Sequence, residues 1–516
     1  MASMGGVRLA ELLGGLSLFA DVADGFPREK VLRTTIISVE IARREGLPEA
    51  VQRDVFYTSL LRYAGCVGFA HEEAHHYGAG NDIATRRVMA MADPTEPAST
   101  VFAIAGGVGA GAFVLARARA VLRLLSDTRA VERHARAQCE TSLWAARAVG
   151  MSPAVQEALG AICERWDGLG APNRLAGEAL ALPMRVHQVG DIGEIALHRG
   201  GVDAARELVR RRAGKQLDPR FAARFADDLE ELAALVDGPS VWDRYLAAEP
   251  GVAVVADGPR IDDLARTFAA LADLKSAWLG GHSLSVAELA HAAGVRAGLA
   301  AAELDDLRRA GWLHDVGRAG VPNAVWDKPG PLAPAERREA EMHAFYTDQI
   351  LASTSGLRGL ARIAGAAHER CDGSGYYRAI PGGMLPLAAR ILAAADAFVA
   401  MQEPRPHRSA MSRDQAAAAI RAEVAGRRLC PTAVDAVLAG GGRAPRRAPR
   451  GLTDREVEVL VLLARGKSNR EIGALLGISP RTAQNHVAHV YDKIGVYSRA
   501  GAALFAVENG LVGPGT

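Results

Sequence analysis

An internal repeat limits the possible folds of this 516-residue chain more than any other feature of its sequence. The segment CERWDGLGAP at residues 163–172 parallels HERCDGSGYY at residues 368–377. In each copy an aspartate, Asp191 or Asp396, follows 28 positions after the first residue of this segment. A pattern that recurs with the same internal spacing predicts two related domains, each with a core of its own.

The second copy contains histidines and aspartates in a pattern typical of a metal centre. His314 and Asp315 are adjacent, and lone histidines flank them at long intervals. Neutral imidazoles bind borderline transition metals, and a carboxylate can bridge two ions. Two metals about 3.5–4 Å apart suit hydrolysis of a phosphodiester, because they generate hydroxide and stabilise the developing charge. The candidate ligands are His282, His314, Asp315, His343, His368 and Asp396.

Through these residues the second copy resembles the HD-GYP branch of the HD phosphohydrolase superfamily, over roughly residues 254–439. The resemblance implies a helical domain that binds two divalent transition-metal ions (Fe, Mn or Zn) and hydrolyses cyclic di-GMP or a related nucleotide. The matching segments occur in the family's order. They are His282-Ser283, His314-Asp315-Val316-Gly317, Val321-Pro322, Lys328-Pro329-Gly330, His343, His368-Glu369-Arg370, Asp372-Gly373-Ser374-Gly375-Tyr376, Asp396-Ala397-Phe398 and Arg405-Pro406.

Three positions depart from the pattern that this family usually shows. Arg318 stands in place of a lysine, which keeps a cation near the phosphate but with guanidinium geometry. Ala367 stands in place of a histidine, which leaves ligands for two metals, and Tyr377 stands in place of a proline. Arg405 is a further candidate phosphate partner, together with Arg318 and Lys328. The resemblance implies catalytic roles for His314, Asp315, Arg318 and Lys328.

The first copy, predicted to span residues 1–248, has lost the His-Asp pair and has Arg62-Tyr63 at that position. A cation in the place of a ligand repels a divalent ion, so we expect a degenerate HD-type domain without metallohydrolase activity. The position of His343 corresponds to Cys139 or its neighbour. Two interpretations remain open for this copy: a scaffold or dimerisation domain, or a ligand sensor in which Arg62 faces a phosphate group.

Two segments of the first copy have unusual composition. Residues 71–99 are rich in glycine, aspartate, proline and polar residues, which predicts an insertion loop. Residues 101–116 are the most apolar stretch, but they are too short and too rich in glycine for a membrane span. We therefore expect a buried helix or packed loop there, and no membrane association.

Cysteine use and the N-terminal sequence favour a cytoplasmic protein. The five cysteines show no CxxC spacing, which fits a reducing compartment better than a disulfide framework. The first residues lack the basic and apolar blocks of a signal peptide.

Charge is distributed unevenly along a chain whose net charge is only +2. From residue 439 onward eleven Lys/Arg oppose six Asp/Glu, which gives +5 and leaves −3 for the remainder. Residues 439–451 contain four glycines, two prolines and four arginines, which predicts a basic, flexible linker. The basic end indicates an anionic polymer as a partner.

Residues 452–516 divide into four short predicted helices with apolar residues at helical intervals. Two capping boxes mark helix starts, because a hydroxyl and a glutamate there satisfy free N–H groups reciprocally. A serine N-cap followed by proline marks a third helix, and a further serine opens the fourth. These signals are Thr453-Asp454-Arg455-Glu456, Ser468-Asn469-Arg470-Glu471, Ser479-Pro480 and Ser498.

Nearly all of this module resembles the LuxR-type helix-turn-helix, from Leu452-Thr453 through Gly466-Lys467 and Gly477-Ile478 to Ser498-Arg499. The resemblance implies that the helix from Ser479 to Ile494 enters the major groove of double-stranded DNA and that the protein binds as a homodimer. Adenine edges then suit the amides of the reading helix, and phosphates suit its basic and hydroxyl groups. The implied DNA-binding residues are Lys467, Asn469, Arg470, Arg481, Thr482, Gln484, Asn485 and Lys493.

The sequence therefore predicts an all-α protein with two helical HD-type bundles followed by a four-helix LuxR-type module. The predicted limits are 1–248, 249–438, 439–451 for the linker, and 452–516. The expected function is a DNA-binding transcriptional regulator that carries a metal-dependent phosphodiesterase domain acting on a cyclic dinucleotide. Two alternatives are a non-catalytic HD-domain ligand sensor and an oligomerisation scaffold that controls the DNA-binding module.

Overall fold

The computed structural model describes residues 6–77, 80–93, 95–110, 112–127, 129–440, 449 and 451–512. These residues form two compact units, which meet in sequence at Arg260 and Ile261. Helices dominate both units, and the strands of the described chain are β1 (Val7–Arg8) and β2 (Val255–Ala256), which pair antiparallel. The predicted all-α class is confirmed. The predicted domain limits remain predictions.

The first unit is a helical bundle in which four short helices, α4 to α7, are inserted between the 3-10 helix (Arg62–Phe69) and helix α8. A second 3-10 helix spans Gly177–Ala179, and the last long helix turns at Gly201, where φ is 77°. The helices are α1 (Leu9–Ala23), α2 (Lys30–Arg44), α3 (Glu49–Leu61), α4 (Ala70–His76), α5 (Asp82–Met89), α6 (Pro97–Gly107), α7 (Val114–Ser126), α8 (Ala130–Ala148), α9 (Pro153–Leu159), α10 (Leu182–Arg212), α11 (Pro219–Asp227), α12 (Leu229–Val236) and α13 (Trp242–Ala248).

The second unit contains the second copy and the C-terminal module. Its 3-10 helices are Val316–Gly320 and Gly382–Met384. The helices are α14 (Gly258–Asp273, which begins before the boundary), α15 (His282–Arg296), α16 (Ala301–Leu313), α17 (Asn323–Trp326), α18 (Pro334–Ala352), α19 (Arg358–Ala364), α20 (Leu387–Met401), α21 (Arg413–Ala425), α22 (Pro431–Leu438), α23 (Asp454–Ala464), α24 (Asn469–Leu476), α25 (Pro480–Ile494) and α26 (Arg499–Glu508).

The two copies share their helix register. Helices α2 and α15 both have 15 residues and both follow a residue in the left-handed conformation. Helices α3 and α16 both have 13 residues and both lead to a short 3-10 helix. This register places Lys30 at the position of His282, and it places Arg62 and Tyr63 at the positions of His314 and Asp315.

In each copy, a glycine closely approaches the backbone of a helix, and this approach shows which residues of α8 and α18 are equivalent. A Cβ atom on Gly317 would lie 2.1 Å from the carbonyl oxygen of His343, and one on Gly65 would lie 2.4 Å from that of Gln138. Both positions therefore need glycine, and Gln138 occupies the place of His343. Of the two sequence-based options, Cys139 or its neighbour, the neighbour is the equivalent residue.

The expected insertion loop over residues 71–99 is wrong, because the structure has helices α4 and α5 and the start of α6 there. Helix α5 is anchored by Arg86, which is buried and pairs with Asp82 and, at 3.2 Å, with Asp24. Polar composition thus marks a buried ion-pair network rather than a loop at this place.

The expected burial of residues 101–116 is also wrong. Phe102, Phe113 and Val114 are 79%, 92% and 83% exposed. The stretch covers most of α6, a turn and the start of α7. Ala103 and Val108 are buried, but most of its large apolar side chains are exposed. Among the described residues, no helix combines the length and apolar character that a membrane crossing requires.

The C-terminal module has the four predicted helices, α23 to α26. The side chains of Thr453 and Ser468 cap α23 and α24 in the two predicted capping boxes. Ser479 and Ser498 cap α25 and α26 as predicted. These local signals are sufficient to define helix starts because each involves residues only two or three positions apart.

Candidate metal centre

Six buried side chains of the second unit converge from three helices, α15, α18 and α20, and from the segments that follow α16 and α19. The residues form two groups, within each of which the ligand-type atoms lie within 4.8 Å of one another, and both groups contain Asp315. The groups are His282, His314, Asp315 and Asp396, and Asp315, His343 and His368. The structure thus brings together all six residues that the sequence suggested as metal ligands.

The two carboxylate oxygens of Asp315 face different groups. Its Oδ2 lies 2.9 Å from Nε2 of His314 and 3.5 Å from Nε2 of His282. Its Oδ1 lies 3.4 Å from Nε2 of His343 and 3.3 Å from Nε2 of His368. This is the arrangement of a carboxylate that can bridge two cations.

Hydrogen bonds on the outer side of three imidazoles determine which nitrogen faces the centre. Nδ1 of His314 lies 2.8 Å from the carbonyl oxygen of Gly311, and Nδ1 of His343 contacts the carbonyl oxygen of Ala340. A carbonyl oxygen only accepts, so both Nδ1 atoms carry the proton. In the neutral rings, the Nε2 lone pairs then point into the centre, as in metal-ligating histidines.

Glu403 holds the third imidazole, and sequence reasoning missed it. Nδ1 of His282 donates to its Oε2 across 2.8 Å, and Glu403 is 5% exposed. Arg405 donates to the same oxygen at 2.8 Å. The sequence signal for Glu403 was its position seven residues after Asp396, just beyond the end of α20. A carboxylate behind a histidine fixes the ring and increases its basicity.

Unsatisfied atoms inside the centre fit a bound cation. Among the described residues, the buried Nε2 atoms of His282 and His314 make no hydrogen bond of regular geometry, although an oxygen of Asp315 lies close to both. Nε2 of His343 lies 2.8 Å from Nε2 of His368, so two ring nitrogens face each other at close range. Buried polar atoms are normally satisfied, and divalent ions satisfy this set of nitrogens and carboxylates.

The protonation states follow from burial and from the close charges. Burial opposes protonation of His314, but the carboxylates of Asp315 and Asp396 outweigh it and raise its pKa to about 9. Burial, with the neighbouring His343, lowers the pKa of His368 to about 4. Burial raises the pKa of Asp315, but Arg318 and His314 outweigh this effect and hold it well below its usual range. The carboxylates remain charged and favour a positive charge beside them, which is either the proton on His314 or a metal cation that replaces it.

Arg318 lies in the centre, as expected for a cation near the substrate. Its Nη2 lies 2.7 Å from Oδ2 of Asp315, and the side chain packs over Trp326 at 5.5 Å. Its Nε and Nη1 are buried and have no hydrogen-bond partner among the described residues. Two N–H donors therefore remain for a group that enters the site.

Two other predicted phosphate partners have different contacts. Lys328 pairs with Glu336, which caps the start of α18. Arg405 is half-buried and donates to the carbonyl oxygen of Trp278 at 3.0 Å as well as to Glu403. Both side chains are thus engaged by the protein itself.

The loop after His368 is held by Glu369, which sequence reasoning treated only as part of a motif. Its two carboxylate oxygens accept the backbone N–H groups of Arg378 and Ile380, both at 2.9 Å. Tyr376 from this loop stacks on His368, with ring centroids 5.2 Å apart. Glu164 holds the equivalent loop of the first copy through Asn173 and Leu175. The glutamate is therefore a structural element common to both copies.

The equivalent centre of the first copy has an ammonium group in its interior. Lys30 is buried and contacts Asp191 and the hydroxyl of Tyr63, which lies 2.8 Å from its Nζ. Burial raises the pKa of Asp191, but Lys30 outweighs it and the value falls to about 2. Lys30 was missed, although the register with His282 was available in the sequence. Lysine and Arg62 together exclude a divalent ion here.

The DNA-binding residues suggested by the sequence differ in exposure. Five of them are exposed: Arg470, Arg481, Thr482, Gln484 and Asn485. Asn469 is half-buried. Lys493 instead pairs with Glu456 at 2.7 Å, and the ammonium of Lys467 lies 4.9 Å from the ring centroid of Trp278.

Comparison with known proteins gives matches to both parts of the chain. Residues 266–432 match the HD domain family, and residues 450–506 match the bacterial regulatory proteins of the luxR family. The chain is 31% identical over 415 residues to 3'3'-cGAMP-specific phosphodiesterase 3 of Vibrio cholerae, which covers 80% of this chain and 90% of that protein.

Two further similarities concern the second copy and the fold. The cyclic di-GMP phosphodiesterase response regulator RpfG of Xanthomonas campestris is 37% identical over 166 residues, 31% of this chain and 44% of that protein. The crystal structure of a cyclic GMP-AMP specific phosphodiesterase of V. cholerae, V-cGAP3, matches with a TM-score of 0.59 at 26% identity, over 84% of this chain and 98% of that chain.

Proposed function

The chain belongs to the HD-GYP branch of the HD-domain family and ends in a LuxR-type domain, and from this premise we propose that it is a cyclic-dinucleotide phosphodiesterase fused to a DNA-binding regulator. The observation that carries the proposal is the pair of ligand groups that share Asp315. The substrate class follows from the names of the relatives, which act on 3'3'-cGAMP or cyclic di-GMP.

We assign two divalent ions (Fe, Mn or Zn) to this centre. The first would be held by His282, His314, Asp315 and Asp396, and the second by Asp315, His343 and His368. When bound, such a pair supplies the Lewis-acid chemistry that phosphodiester hydrolysis requires. The tautomers set by Gly311, Ala340 and Glu403 support this assignment.

Residues around the centre contribute binding and orientation. Nε and Nη1 of Arg318 are buried without a hydrogen-bond partner among the described residues, and guanidinium donors suit phosphate oxygens. Tyr376 fixes the ring plane of His368 by stacking. Asp315 holds Arg318 at 2.7 Å, so the same carboxylate positions a ligand and a phosphate donor.

DNA binding is assigned to the exposed residues at the start of α25. Gln484 and Asn485 would contact base edges, and Arg481 and Thr482 would contact phosphates. We further expect a homodimer on a two-fold related site, because a single module of this kind reads only one half-site.

The contacts within the second unit support communication between its two activities. The ammonium of Lys467, in the DNA-binding module, lies over Trp278. The carbonyl oxygen of Trp278 accepts from Arg405, which donates to Glu403, which accepts from His282. A change in the position of His282 therefore has a continuous set of polar contacts through which it can alter the seating of the module.

The test is turnover by the full-length protein, purified without chelator, on 3'3'-cGAMP and on cyclic di-GMP. We expect linear dinucleotide from at least one substrate, loss of product with Asp315→Asn, and unchanged activity with the exposed control Asp435→Asn. Metal-loaded protein that binds a cyclic dinucleotide without cleaving it would favour the non-catalytic sensor. Protein that cannot be loaded with metal would leave only the scaffold.

A further inference from the structure

The first unit contains a cavity of about 260 Å³ at the place that corresponds to the metal centre of the second unit. Several of the side chains that line it stand where the second copy has candidate metal ligands. The equivalent pairs are Arg62 and His314, Gln138 and His343, and Cys163 and His368. The cavity of the first copy is therefore lined by hydrogen-bond donors at positions where the second copy can bind metal.

The guanidinium of Arg62 has no carboxylate within ion-pair distance among the described residues. Its Nη1 contacts the sulfur of Cys66 at 3.9 Å, and the group lies 4.7 Å from the ring centroid of Tyr63. A guanidinium in a protein interior normally pairs with a carboxylate or a phosphate through two parallel hydrogen bonds. Arg62 therefore retains N–H donors for a group that enters the cavity.

Two buried side chains of the cavity also lack strong partners among the described residues. The amide of Gln138 contacts only sulfur atoms: its Nε2 lies 3.6 Å from Cys66, and its Oε1 lies 3.5 Å from Cys163. Nδ1 of His187 lies 3.0 Å from the hydroxyl oxygen of Ser59, and its Nε2 is buried without a partner. Buried polar atoms are normally satisfied, so these groups fit a polar ligand.

His187 has a counterpart that shows that packing alone does not require a histidine there. It precedes Asp191 by four residues, as the fully buried Leu392 precedes Asp396 in the second copy. Burial lowers the pKa of His187 to about 3, so the ring is neutral at physiological pH and carries one N–H. The hydroxyl of Ser59 can donate to Nδ1, which leaves that proton on Nε2.

Shared contacts bring the three donor groups together. The sulfur of Cys66 contacts both Arg62 and Gln138. Ser59, the partner of His187, lies three residues before Arg62 at the end of α3. The guanidinium, the amide and the imidazole therefore surround one part of the cavity.

The other charged groups that line the cavity have partners within the protein. Asp24 and Glu73 lie 3.2 and 3.8 Å from Arg86, Asp191 pairs with Lys30, Arg165 pairs with Asp93 at 2.9 Å, and Glu164 accepts backbone N–H groups of Asn173 and Leu175. Among the described charges of the lining, that of Arg62 is the one without such a partner. An anionic group is the ligand that this charge favours.

We propose that this cavity binds a phosphomonoester, with the guanidinium of Arg62 and the side-chain N–H groups of Gln138 and His187 as donors to the phosphate oxygens. The cavity is smaller than the roughly 300–1,000 Å³ of pockets for drug-sized molecules, so it suits one mononucleotide or free phosphate rather than a cyclic dinucleotide. This inference concerns the first copy alone and does not depend on the proposed function.

The experiment is hydrogen exchange of the full-length protein with millimolar inorganic phosphate, AMP or GMP, measured by mass spectrometry with and without EDTA. We expect slower exchange in the peptides that contain Arg62, Gln138 and His187, and we expect it to persist in EDTA, which removes metal from the second copy. Protection by AMP or GMP alone identifies a mononucleotide as the ligand, and equal protection by phosphate identifies the free anion.

Variants of the cavity test the donors. Arg62→Gln should raise the ligand concentration for half-maximal protection by at least about 10-fold, because hydrogen bonds to a charged group are lost. His187→Leu, which matches Leu392 of the second copy, should raise it several-fold while the first unit remains folded. Arg119→Gln, at an exposed position of α7 outside the cavity lining, is the matched control and should bind as the wild type does.

Three results would overturn the proposal. The first is a wild-type protein whose first unit gains no protection from any of the ligands, a result that needs no variant to fold. The second is protection confined to peptides of the second unit. The third is wild-type affinity in both cavity variants, or an equal loss of affinity in the Arg119→Gln control.

Discussion

Glu403 accepts a hydrogen bond from Nδ1 of His282 at 2.8 Å and thereby directs Nε2 of this histidine into the centre. We expect Glu403→Gln to weaken metal affinity by about 10- to 100-fold, because the amide no longer polarises the ring. Metal titration followed by turnover checks this, and excess metal should restore activity. Glu423→Gln, at a half-buried position where the carboxylate pairs with Arg428 outside the centre, is the control. Normal metal affinity in Glu403→Gln would show that the contact does not tune the ligand.

The position of Asp315 in both ligand groups predicts that its replacement lowers the metal content more than replacement of a ligand from one group. Because each of its oxygens faces one ligand group, Asp315→Asn should reduce the content from about two ions per chain to less than one. His343→Gln removes a ligand of only one group and should leave about one ion. Elemental analysis of protein purified without chelator measures both. Equal losses in the two variants would argue against a bridging carboxylate.

Lys30 predicts a stability effect confined to the first unit. Removing one partner of a buried ion pair costs about 3–5 kcal/mol, so Lys30→Met should destabilise residues 6–260 by that amount. Hydrogen exchange during urea unfolding, followed on peptides of this unit, measures the change. The double variant Lys30→Met/Asp191→Asn should recover much of the loss, since no charge is then left unpaired.

The same pair has a defined dependence on pH. The pKa of Asp191 is lowered in the folded chain, so its contribution to stability is present above the usual value of 3.8 and is lost as the pH falls through about 2. The cost of Lys30→Met should therefore be greatest near neutral pH and shrink on acidification, because the unpaired, buried Asp191 of the variant then takes up a proton. A cost that grows at low pH would contradict the assignment of Asp191 as the charged partner.

Trp278 predicts coupling between the two parts of the second unit. A cation–π contact contributes about 0.5–2 kcal/mol, so Trp278→Ala should release Lys467 and increase DNA affinity several-fold. Fluorescence anisotropy with a labelled duplex from the region upstream of the gene measures the affinity. Met384→Ala, another exposed apolar position, should have no effect. Weaker binding of DNA by Trp278→Ala would reverse the proposed direction of control.

Arg481 and Gln484 test the choice of the reading helix. The double variant Arg481→Ala/Gln484→Ala should lose affinity for DNA, and loss of the phosphate contact should reduce the slope of log affinity against log salt by about 1. A mobility assay over a range of salt concentrations measures both quantities. Glu508→Gln on α26 serves as control. Unchanged binding in the double variant would place the DNA-contacting surface elsewhere.

Local and periodic signals in the sequence predicted much of this structure. The capping boxes gave the starts of α23 and α24, because both partners lie within one turn. The repeat placed Arg62 at the position of His314, because both follow helices of equal length. The convergence of the six candidate ligands could be predicted because their order and spacing match the family pattern.

The features that sequence analysis missed depend on tertiary contacts. Glu403 is an ordinary glutamate until α15 brings His282 against it. Gln138 rather than Cys139 matches His343 because the approach of Gly65 to α8, which no sequence distance reveals, fixes the register. Residues 71–99 form helices because Arg86 finds buried carboxylates, whereas composition alone indicated a loop.

The ammonium of Lys30 makes the first copy independent of metal, whereas the second copy is expected to depend on it. Under the proposed function, the carboxylates and imidazoles of the second copy would be balanced by metal ions acquired from the cell, whereas the first copy carries its counter-charge on a side chain of its own. Chelation or metal starvation should destabilise the helical bundle of the second copy and leave that of the first copy unchanged. The stability of the second copy should therefore depend on the supply of metal ions, and the stability of the first copy should not.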